Sequence, residues 1–359
     1  MAVDLSPAWR IAGRGVAAAG ALAAGAAIGT LAERALFRAG LRDAPDVMMP
    51  GAFHGESMRL TIADGTQLHV EVDSSSIPAD PLTIVFAHGY ALSMESWNYQ
   101  RQALQGKARL VFYDQRSHGR SSRADFDTHH VDQLGADLAE VIEHLAPTGP
   151  LMLVGHSMGG MTIMALADQH PELFEERVFG VALIATSAGA LDQGSLGLPS
   201  TLGTAFHRLA PAVAALLAKQ KSLVEKSRWG DTDLGVLLTR MYAFGSHAPD
   251  QAGRFVAGML SATPMDVIAE FLPALQEHDK HDVLHVLQCV EVLVVAGDSD
   301  RLTPREMSDE IVAAIPGAEY VVVDDAGHMV TIEKHEIVDE LLLGLLARVR
   351  RDLAEGMDP

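Results

Sequence analysis

Cysteine and basic residues are scarce in this chain of 359 residues, and each scarcity excludes a class of protein. The single cysteine, Cys289, cannot form an internal disulfide. Lysine and arginine number 27 against 47 acidic residues, which gives a formal net charge of −20. This charge argues against nucleic acid as a partner and against electrostatic attachment to anionic lipid. The sequence has no internal repeat, and its length and its hydrophobic fraction of 48% suit one large α/β domain with an insertion.

The first fifty residues differ in composition from the rest of the chain. Residues 1–50 are expected to be an Ala/Gly-rich helical segment followed by a linker. Within them, residues 15–32 form an uncharged run of mostly alanine and glycine, close to the ~20 apolar residues that a membrane span needs. Three interpretations stay open: a membrane anchor, a helix packed on protein, and a signal peptide. Arginines after the run argue against secretion, so we expect a cytoplasmic protein or one that associates with a membrane through residues 15–32.

A short apolar stretch, Leu151–Val154, leads into Gly155-His156-Ser157-Met158-Gly159 and then into an apolar helix. This context is typical of the nucleophile elbow, Gly-x-Ser-x-Gly, in which a strained strand-to-helix turn presents the serine hydroxyl. Glycine is needed two residues before and after the serine because a Cβ there would collide with the neighbouring strand or helix. The amides at the start of the helix favour negative charge beside the serine. The motif predicts Ser157 as a nucleophile.

With this motif the chain resembles the α/β-hydrolase superfamily, in its esterase, lipase and perhydrolase-like branch, over about residues 55 to 350. The resemblance implies an α/β fold with a doubly wound, mostly parallel sheet and a helical cap insertion. Alternating strand and helix patterns agree with such a sheet, and an antiparallel hairpin is expected around Asp64-Gly65. We place the core at residues 51–187 and 289–359 and the cap at 188–288. Helical patterns in the cap cover residues 209–219, 233–244 and 250–260.

Acyl transfer also needs two hydrogen-bond donors for the oxyanion. One is expected to be the backbone N–H of Met158, the residue after the nucleophile. The apolar run Leu82–Ala87 ends in His88-Gly89-Tyr90, and the resemblance places the second donor there, at the N–H of Tyr90.

The remaining catalytic groups are expected after two later strands. Asp298 and Asp300 both follow the apolar run at 292–296 and compete for the role of acid; the family spacing Gly-x-x-Asp-x-x-x-Pro selects Asp300. His328 lies in the loop after the strand predicted at 319–323, where the family carries its general base. The order Ser157, Asp300, His328 is the one that this fold uses.

Two other groups of polar residues are not expected to take part in catalysis or metal binding. The family usually has Arg-Gly-His-Gly-x-Ser after the strand at 110–114, and this chain has Ser117 in place of the first glycine; this loop, with His118, is predicted to be structural. His281 and His285 stand four residues apart on a predicted helix, but no glutamate follows His281 as it does in zinc peptidases. We predict neither a metal nor a cofactor.

These features predict a serine hydrolase that cleaves carboxylic esters of fairly apolar small molecules through an acyl-enzyme. A serine at position 157 argues against haloalkane dehalogenases and epoxide hydrolases, whose related elbows present aspartate. A C–C bond hydrolase or a perhydrolase would use the same triad and stays open as an alternative. A ligand-binding receptor on a hydrolase scaffold is the alternative outside enzymes.

Overall fold

An eight-stranded sheet organises the part of the chain that the computed structural model describes, residues 54–191, 239, 243–245 and 250–356. The strands run in the spatial order β1-β2-β4-β3-β5-β6-β7-β8. They are β1 (Glu56–Thr61), β2 (Gln67–Asp73), β3 (Thr83–Ala87), β4 (Arg109–Tyr113), β5 (Leu151–His156), β6 (Val178–Ile184), β7 (Glu291–Gly297) and β8 (Glu319–Val323).

The sheet is parallel from β4 to β8, and only β2 pairs antiparallel with β1 and β4. The predicted hairpin around Asp64-Gly65 is therefore confirmed. Every residue of β3 and of β5 is buried, which is why both strands are mostly apolar rather than alternating between apolar and polar residues. Because the carboxyl ends of parallel strands share one edge, the loops after β3, β5, β7 and β8 meet there.

Helices cover both faces of the sheet, which makes it doubly wound as predicted. Side chains alternate along β3, so that Val85 packs in one core cluster with Leu138, whereas Phe86 packs in the other with Trp97. The described helices are α1 (Asn98–Leu104), α2 (Val131–Leu145), α3 (Met158–Gln169), α4 (Pro171–Glu176), α5 (Asp250–Ala262), α6 (Met265–Glu277), α7 (Arg305–Ala314), α8 (Val330–Glu333) and α9 (His335–Gly356).

Part of the predicted cap is described. The helix expected over residues 250–260 is α5, and α6 follows it after a break. A 3₁₀ helix, His281–Cys289, then leads to β7 and ends on the exposed Cys289. The helix expected over 209–219, most of the one over 233–244, and residues 1–50 lie outside the described residues.

A helix that spans a membrane must be both long enough and apolar enough. Within the described ranges no single helix meets both requirements. One bent pair, Gln251–Ala262 with Met265–Glu277 at 95°, meets them together by length and composition. The uncharged run at 15–32 lies outside these ranges.

Candidate active site

Ser157 occupies a sharp turn between β5 and α3. Its backbone has φ 52° and ψ −119°, in a region that residues other than glycine rarely adopt. Its N–H donates to the carbonyl oxygen of Ile184 at 2.9 Å, which ties the turn to the end of β6. The turn therefore has the strained geometry predicted for a nucleophile elbow.

The two glycines of the motif are required by close backbone approaches. A Cβ on Gly155 would lie 2.5 Å from the carbonyl carbon of Gly159. A Cβ on Gly159 would overlap the carbonyl oxygen of Ala87, at the end of β3. The turn can therefore close only when Gly155 lacks a side chain, and it can lie against β3 only when Gly159 lacks one.

Asp300 and His328 form a buried pair at the same edge of the sheet. His328 Nδ1 donates to Asp300 Oδ2 at 2.9 Å, and both residues are buried. Thr303 also donates to Oδ2 through its hydroxyl at 2.8 Å, and Asp300 Oδ1 accepts the backbone N–H groups of Leu302 (2.8 Å) and Thr303 (3.0 Å). All these donors favour the ionised carboxylate.

The environment sets the charge of Asp300. Burial alone would raise the pKa of this carboxyl group, but the charge of His328 and the hydrogen bonds from His328 and Thr303 outweigh burial and lower the pKa below its usual range. Asp298 has another environment, because it is exposed and accepts the hydroxyl of Ser299 at 2.8 Å. Of the two candidate aspartates, Asp300 is the one that the structure brings to His328.

His328 is linked to the elbow through the residue before the serine. His156 Nε2 donates to the carbonyl oxygen of His328 at 2.9 Å, and the two imidazole rings lie 4.9 Å apart between centroids. No hydrogen bond in the described residues joins the Ser157 hydroxyl to the His328 ring. Such bonds are often long in enzymes without substrate and shorten when it binds.

The loop after β3 is braced by His88. Its Nδ1 donates to the carbonyl oxygen of Gly89 at 2.8 Å, and its Nε2 accepts the N–H of Gln115 at 2.9 Å. Gln115 also donates its side-chain amide to the carbonyl oxygen of His88 at 2.6 Å. Burial lowers the pKa of His88 to about 4, so that at neutral pH the ring is an uncharged brace.

The two predicted oxyanion donors are backbone N–H groups without a partner in the described residues. Met158 begins α3, where a backbone N–H has no intrahelical acceptor. No hydrogen bond from the Tyr90 N–H occurs in the described ranges. The Tyr90 hydroxyl donates to the carbonyl oxygen of Ile268 in α6, and burial raises the pKa of this hydroxyl. Tyr90 therefore joins the loop after β3 to the cap helix.

Ser117 makes contacts that glycine could not make. Its φ is 64°, in the left-handed region that favours glycine. Its hydroxyl oxygen accepts the N–H of Ala124 at 3.0 Å and lies 2.8 Å from His129 Nε2. His129 Nδ1 in turn lies 2.8 Å from the carboxylate of Glu270 in α6. The sequence predicted a structural role for this loop but gave no signal of this second link to the cap.

The other histidines singled out in the sequence have local partners. Burial is the main cause that lowers the pKa of His118, to about 3, and its Nδ1 donates to a backbone carbonyl oxygen. The helix predicted at His281 and His285 is a 3₁₀ helix, in which residues four apart do not share a face. Within the described ranges no group of three His, Cys, Asp or Glu residues is placed to hold a metal ion.

Apolar side chains of the cap reach the residue after His328. Met329 packs in one cluster with Leu92 and with Phe255 and Met259 of α5. A cavity of about 400 Å³ lies between α5 and the loops after β3 and β4, and these same Leu92, Phe255 and Met259 side chains line part of it. Charged side chains, among them Glu95, Asp114 and Arg120, line another part of this cavity.

Comparison with known proteins gives the family. The protein named "Putative carbamate hydrolase RutD" from Caulobacter sp. (strain K31) is 27% identical over 273 residues, 75% of this chain and 92% of that protein. The "Bifunctional esterase/perhydrolase DCH" from Acinetobacter calcoaceticus is 37% identical over 95 residues, 26% of this chain and 34% of that protein. A solved thermophilic esterase from Thermogutta terrifontis has the same fold, with a TM-score of 0.65 and 22% identity over 82% of this chain and 99% of that one. A family model described as "alpha/beta hydrolase fold" matches residues 83–335, which is more than half of the chain, and the protein belongs to the alpha/beta hydrolase fold family.

Proposed function

We propose that this hydrolase cleaves carboxylic esters with Ser157 as nucleophile, His328 as general base and Asp300 as the group that orients the base. One observation carries the proposal: the buried hydrogen bond of 2.9 Å between His328 Nδ1 and Asp300 Oδ2, at the sheet edge where the strained elbow presents Ser157. This bond keeps the proton of the neutral imidazole on Nδ1 and leaves the lone pair of Nε2 for the serine proton.

The reaction has two halves. Ser157 Oγ attacks the ester carbonyl while His328 Nε2 takes its proton, and the oxyanion accepts the N–H groups of Tyr90 and Met158. The carbonyl re-forms as the C–O bond to the alcohol breaks, and His328 returns its proton to the departing alcohol. Water then attacks the acyl-enzyme, giving its proton to His328, and collapse of the second oxyanion returns that proton to Ser157 and releases the acid.

The preferred acyl group is a fairly apolar one. The cavity that Leu92, Phe255 and Met259 line in part supports this, because these side chains are apolar and pack in one cluster with Met329, the residue after the base. Burial of each methylene of an acyl chain against such a surface contributes about 0.8 kcal/mol. Affinity should therefore rise with chain length until the pocket is filled.

Perhydrolysis is the second candidate, and one observation favours it. The relative from Acinetobacter calcoaceticus is named as both esterase and perhydrolase. Hydrogen peroxide would replace water in the second half of the reaction and release a peracid from the same acyl-enzyme. C–C bond hydrolysis would use the same three residues, and a receptor function would not need their chemistry.

The test is hydrolysis of p-nitrophenyl esters from acetate to palmitate by wild type and by Ser157→Ala. We expect turnover by wild type, a preference for medium chains, and loss of turnover in the folded variant. Peracid formation from the acyl-enzyme with hydrogen peroxide is measured in parallel. Activity that survives in Ser157→Ala excludes the serine mechanism, whereas a folded wild type without ester turnover favours C–C bond hydrolysis or a receptor.

We also propose that residues 15–32 bring the enzyme to a membrane. The uncharged composition of this run supports the proposal. Fractionation of cells that express the full chain should place it with membranes, and deletion of residues 1–45 should release it. A full chain that stays in the supernatant contradicts the proposal.

A further inference from the structure

His156, the residue before the nucleophile, is a buried imidazole between two loops of the candidate site. On one side its Nε2–H donates to the carbonyl oxygen of His328 at 2.9 Å. Since a carbonyl oxygen can only accept, the proton must be on Nε2 and the neutral ring has a bare Nδ1. The ring is thus attached to the main chain of the loop that carries the proposed base.

The opposite side of the ring faces the loop that carries Tyr90. A Cβ on Gly89 would lie 2.9 Å from His156 Nδ1 and 3.3 Å from its Cε1. Nδ1 is buried and accepts no hydrogen bond within the described part of the chain. The imidazole therefore fills the space between the backbone at Gly89 and the backbone at His328.

An unpaired buried nitrogen is unfavourable, and an apolar side chain would fill the same space without it. What an apolar side chain could not supply is the N–H for the His328 carbonyl. The ring also stays uncharged beside the base, because burial and the charge of His328 lower the pKa of His156 to about 3. It can hold the loop without adding a positive charge next to an imidazolium.

We propose that His156 is a positioning residue for the ester hydrolysis proposed above, on which this inference rests. Its Nε2–H fixes the His328 loop, and its ring sets the spacing between that loop and the oxyanion loop at Gly89. Both distances matter at once, because His328 and the Tyr90 N–H act on the same carbonyl group. Displacement of either by about 1 Å lowers the rate by about 100-fold.

Asparagine and glutamine at position 156 form a matched pair for the test. Both carry an amide donor, but only glutamine is long enough to bring its nitrogen to the position of the imidazole Nε2. We expect His156→Asn to lower kcat by about 100-fold with KM within about twofold of wild type. His156→Gln should recover kcat to within about fivefold of wild type, and His156→Leu, which has no donor, should behave like the Asn variant.

Labelling of Ser157 by a fluorophosphonate is the second readout, because it reports an activated serine without requiring any ester substrate. If wild type is labelled but hydrolyses no ester, the proposed substrate class is refuted. The labelling rates then test His156, and we expect His156→Gln to be labelled faster than His156→Asn. Wild type that is not labelled would refute the serine mechanism instead.

Equal rates for the Asn, Leu and wild-type proteins would overturn the proposal, and so would a folded Gln variant as slow as the Asn variant. If the Asn and Leu variants do not fold, Gly89→Ala carries the test, because its methyl group pushes on the same ring from the opposite side. We expect kcat of Gly89→Ala to fall at least about tenfold. A folded Gly89→Ala protein with the kcat of wild type would overturn the proposal.

Discussion

Replacing Asp300 by asparagine exchanges one carboxylate oxygen for an amide nitrogen. The hydrogen-bond donors around the carboxylate determine whether the nitrogen takes the position of Oδ1 or that of Oδ2. Oδ1 accepts the backbone N–H groups of Leu302 at 2.8 Å and Thr303 at 3.0 Å. An amide nitrogen there would face two donors, so the oxygen of the asparagine has to take that position. The nitrogen then points at His328 Nδ1, where Oδ2 of the carboxylate accepts at 2.9 Å.

This reversed polarity selects the wrong tautomer of the base. A donor opposite Nδ1 favours the imidazole with its proton on Nε2, which cannot take the proton of Ser157. We expect kcat of Asp300→Asn to fall about 10⁴-fold, equivalent to about 5.4 kcal/mol in the activation barrier. KM should stay within about threefold, because Asp300 is buried and acts on His328 rather than on substrate.

The assay is steady-state hydrolysis of the p-nitrophenyl ester that wild type turns over fastest, with thermal unfolding to verify the fold. Asp298→Asn is the matched control, because Asp298 is exposed and an asparagine oxygen can still accept the Ser299 hydroxyl and the Ala326 N–H that Asp298 Oδ1 accepts. Its kcat should equal that of wild type within about twofold. A folded Asp300→Asn protein within about tenfold of wild type would refute this reasoning, and loss of activity in Asp298→Asn instead would reassign the acid.

The same variant has a consequence for stability at low pH. In the folded protein the pKa of Asp300 is lowered from the ordinary value of 3.8. The ionised carboxylate therefore stabilises the fold at any pH above the pKa that this group has in the unfolded chain. This stabilisation is lost as the pH falls through the lowered folded-state pKa. Urea denaturation from about pH 6 to about pH 3 gives the free energy of unfolding of wild type and of Asp300→Asn. The difference between these two free energies should become smaller at the acid end. A difference that stays constant would contradict the ionised state of Asp300 in the folded protein.

Three further substitutions test the surroundings of the site by chemical denaturation. Ser117→Ala should be less stable than Ser117→Gly by about 1 kcal/mol, because both lose the hydroxyl and only alanine keeps the unfavourable left-handed backbone; equal stabilities would contradict this. Gly159→Ala should destabilise the fold by more than about 4 kcal/mol, because its methyl group would overlap the carbonyl oxygen of Ala87, and a normal unfolding midpoint would show that the elbow can shift. Asp137→Ala should cost about 3–5 kcal/mol, because it leaves the fully buried Arg116 without the carboxylate on its Nε and Nη2. A loss below about 1 kcal/mol would mean that Asp64, which accepts Nη1 at 3.0 Å, is a sufficient partner for the guanidinium.

The central strands of the sheet could be predicted from the sequence, because a strand that is buried on both faces is a run of apolar residues. β3 is apolar from Ile84 to Ala87 and β5 from Leu151 to Gly155, and each run leads into a glycine-containing turn. Since strands that are parallel end at one edge, the chain order of Ser157, Asp300 and His328 was enough to place these residues at that edge. The contact between Asp300 and His328 is seen only in the structure, because it depends on the paths of the loops after β7 and β8.

Two features could not be predicted because they depend on neighbours remote in sequence. The apolar pattern of α6 shows which of its residues are buried. It does not show that the carbonyl oxygen of Ile268 accepts the Tyr90 hydroxyl, or that the carboxylate of Glu270 contacts His129. His156 occupies a variable position of its motif, so nothing in the sequence marks it as a contact of the His328 loop. In both cases the partner lies on an element that the local pattern does not contain.

The single cysteine offers a chemical handle whose position is favourable for attaching the enzyme to a solid support. Cys289 is exposed and precedes β7, whereas Asp300 follows the other end of that strand; at 3.3 Å per residue the strand alone separates them by about 20 Å. A maleimide surface would therefore attach every molecule at the same point, at the end of β7 opposite the sheet edge that carries Ser157, Asp300 and His328. The sulfur is partly covered where it lies 3.6 Å from the carbonyl oxygen of Phe174, and this partial burial raises the pKa of the thiol. The coupling should therefore be carried out under mildly alkaline conditions, and the immobilised enzyme should keep its turnover per molecule.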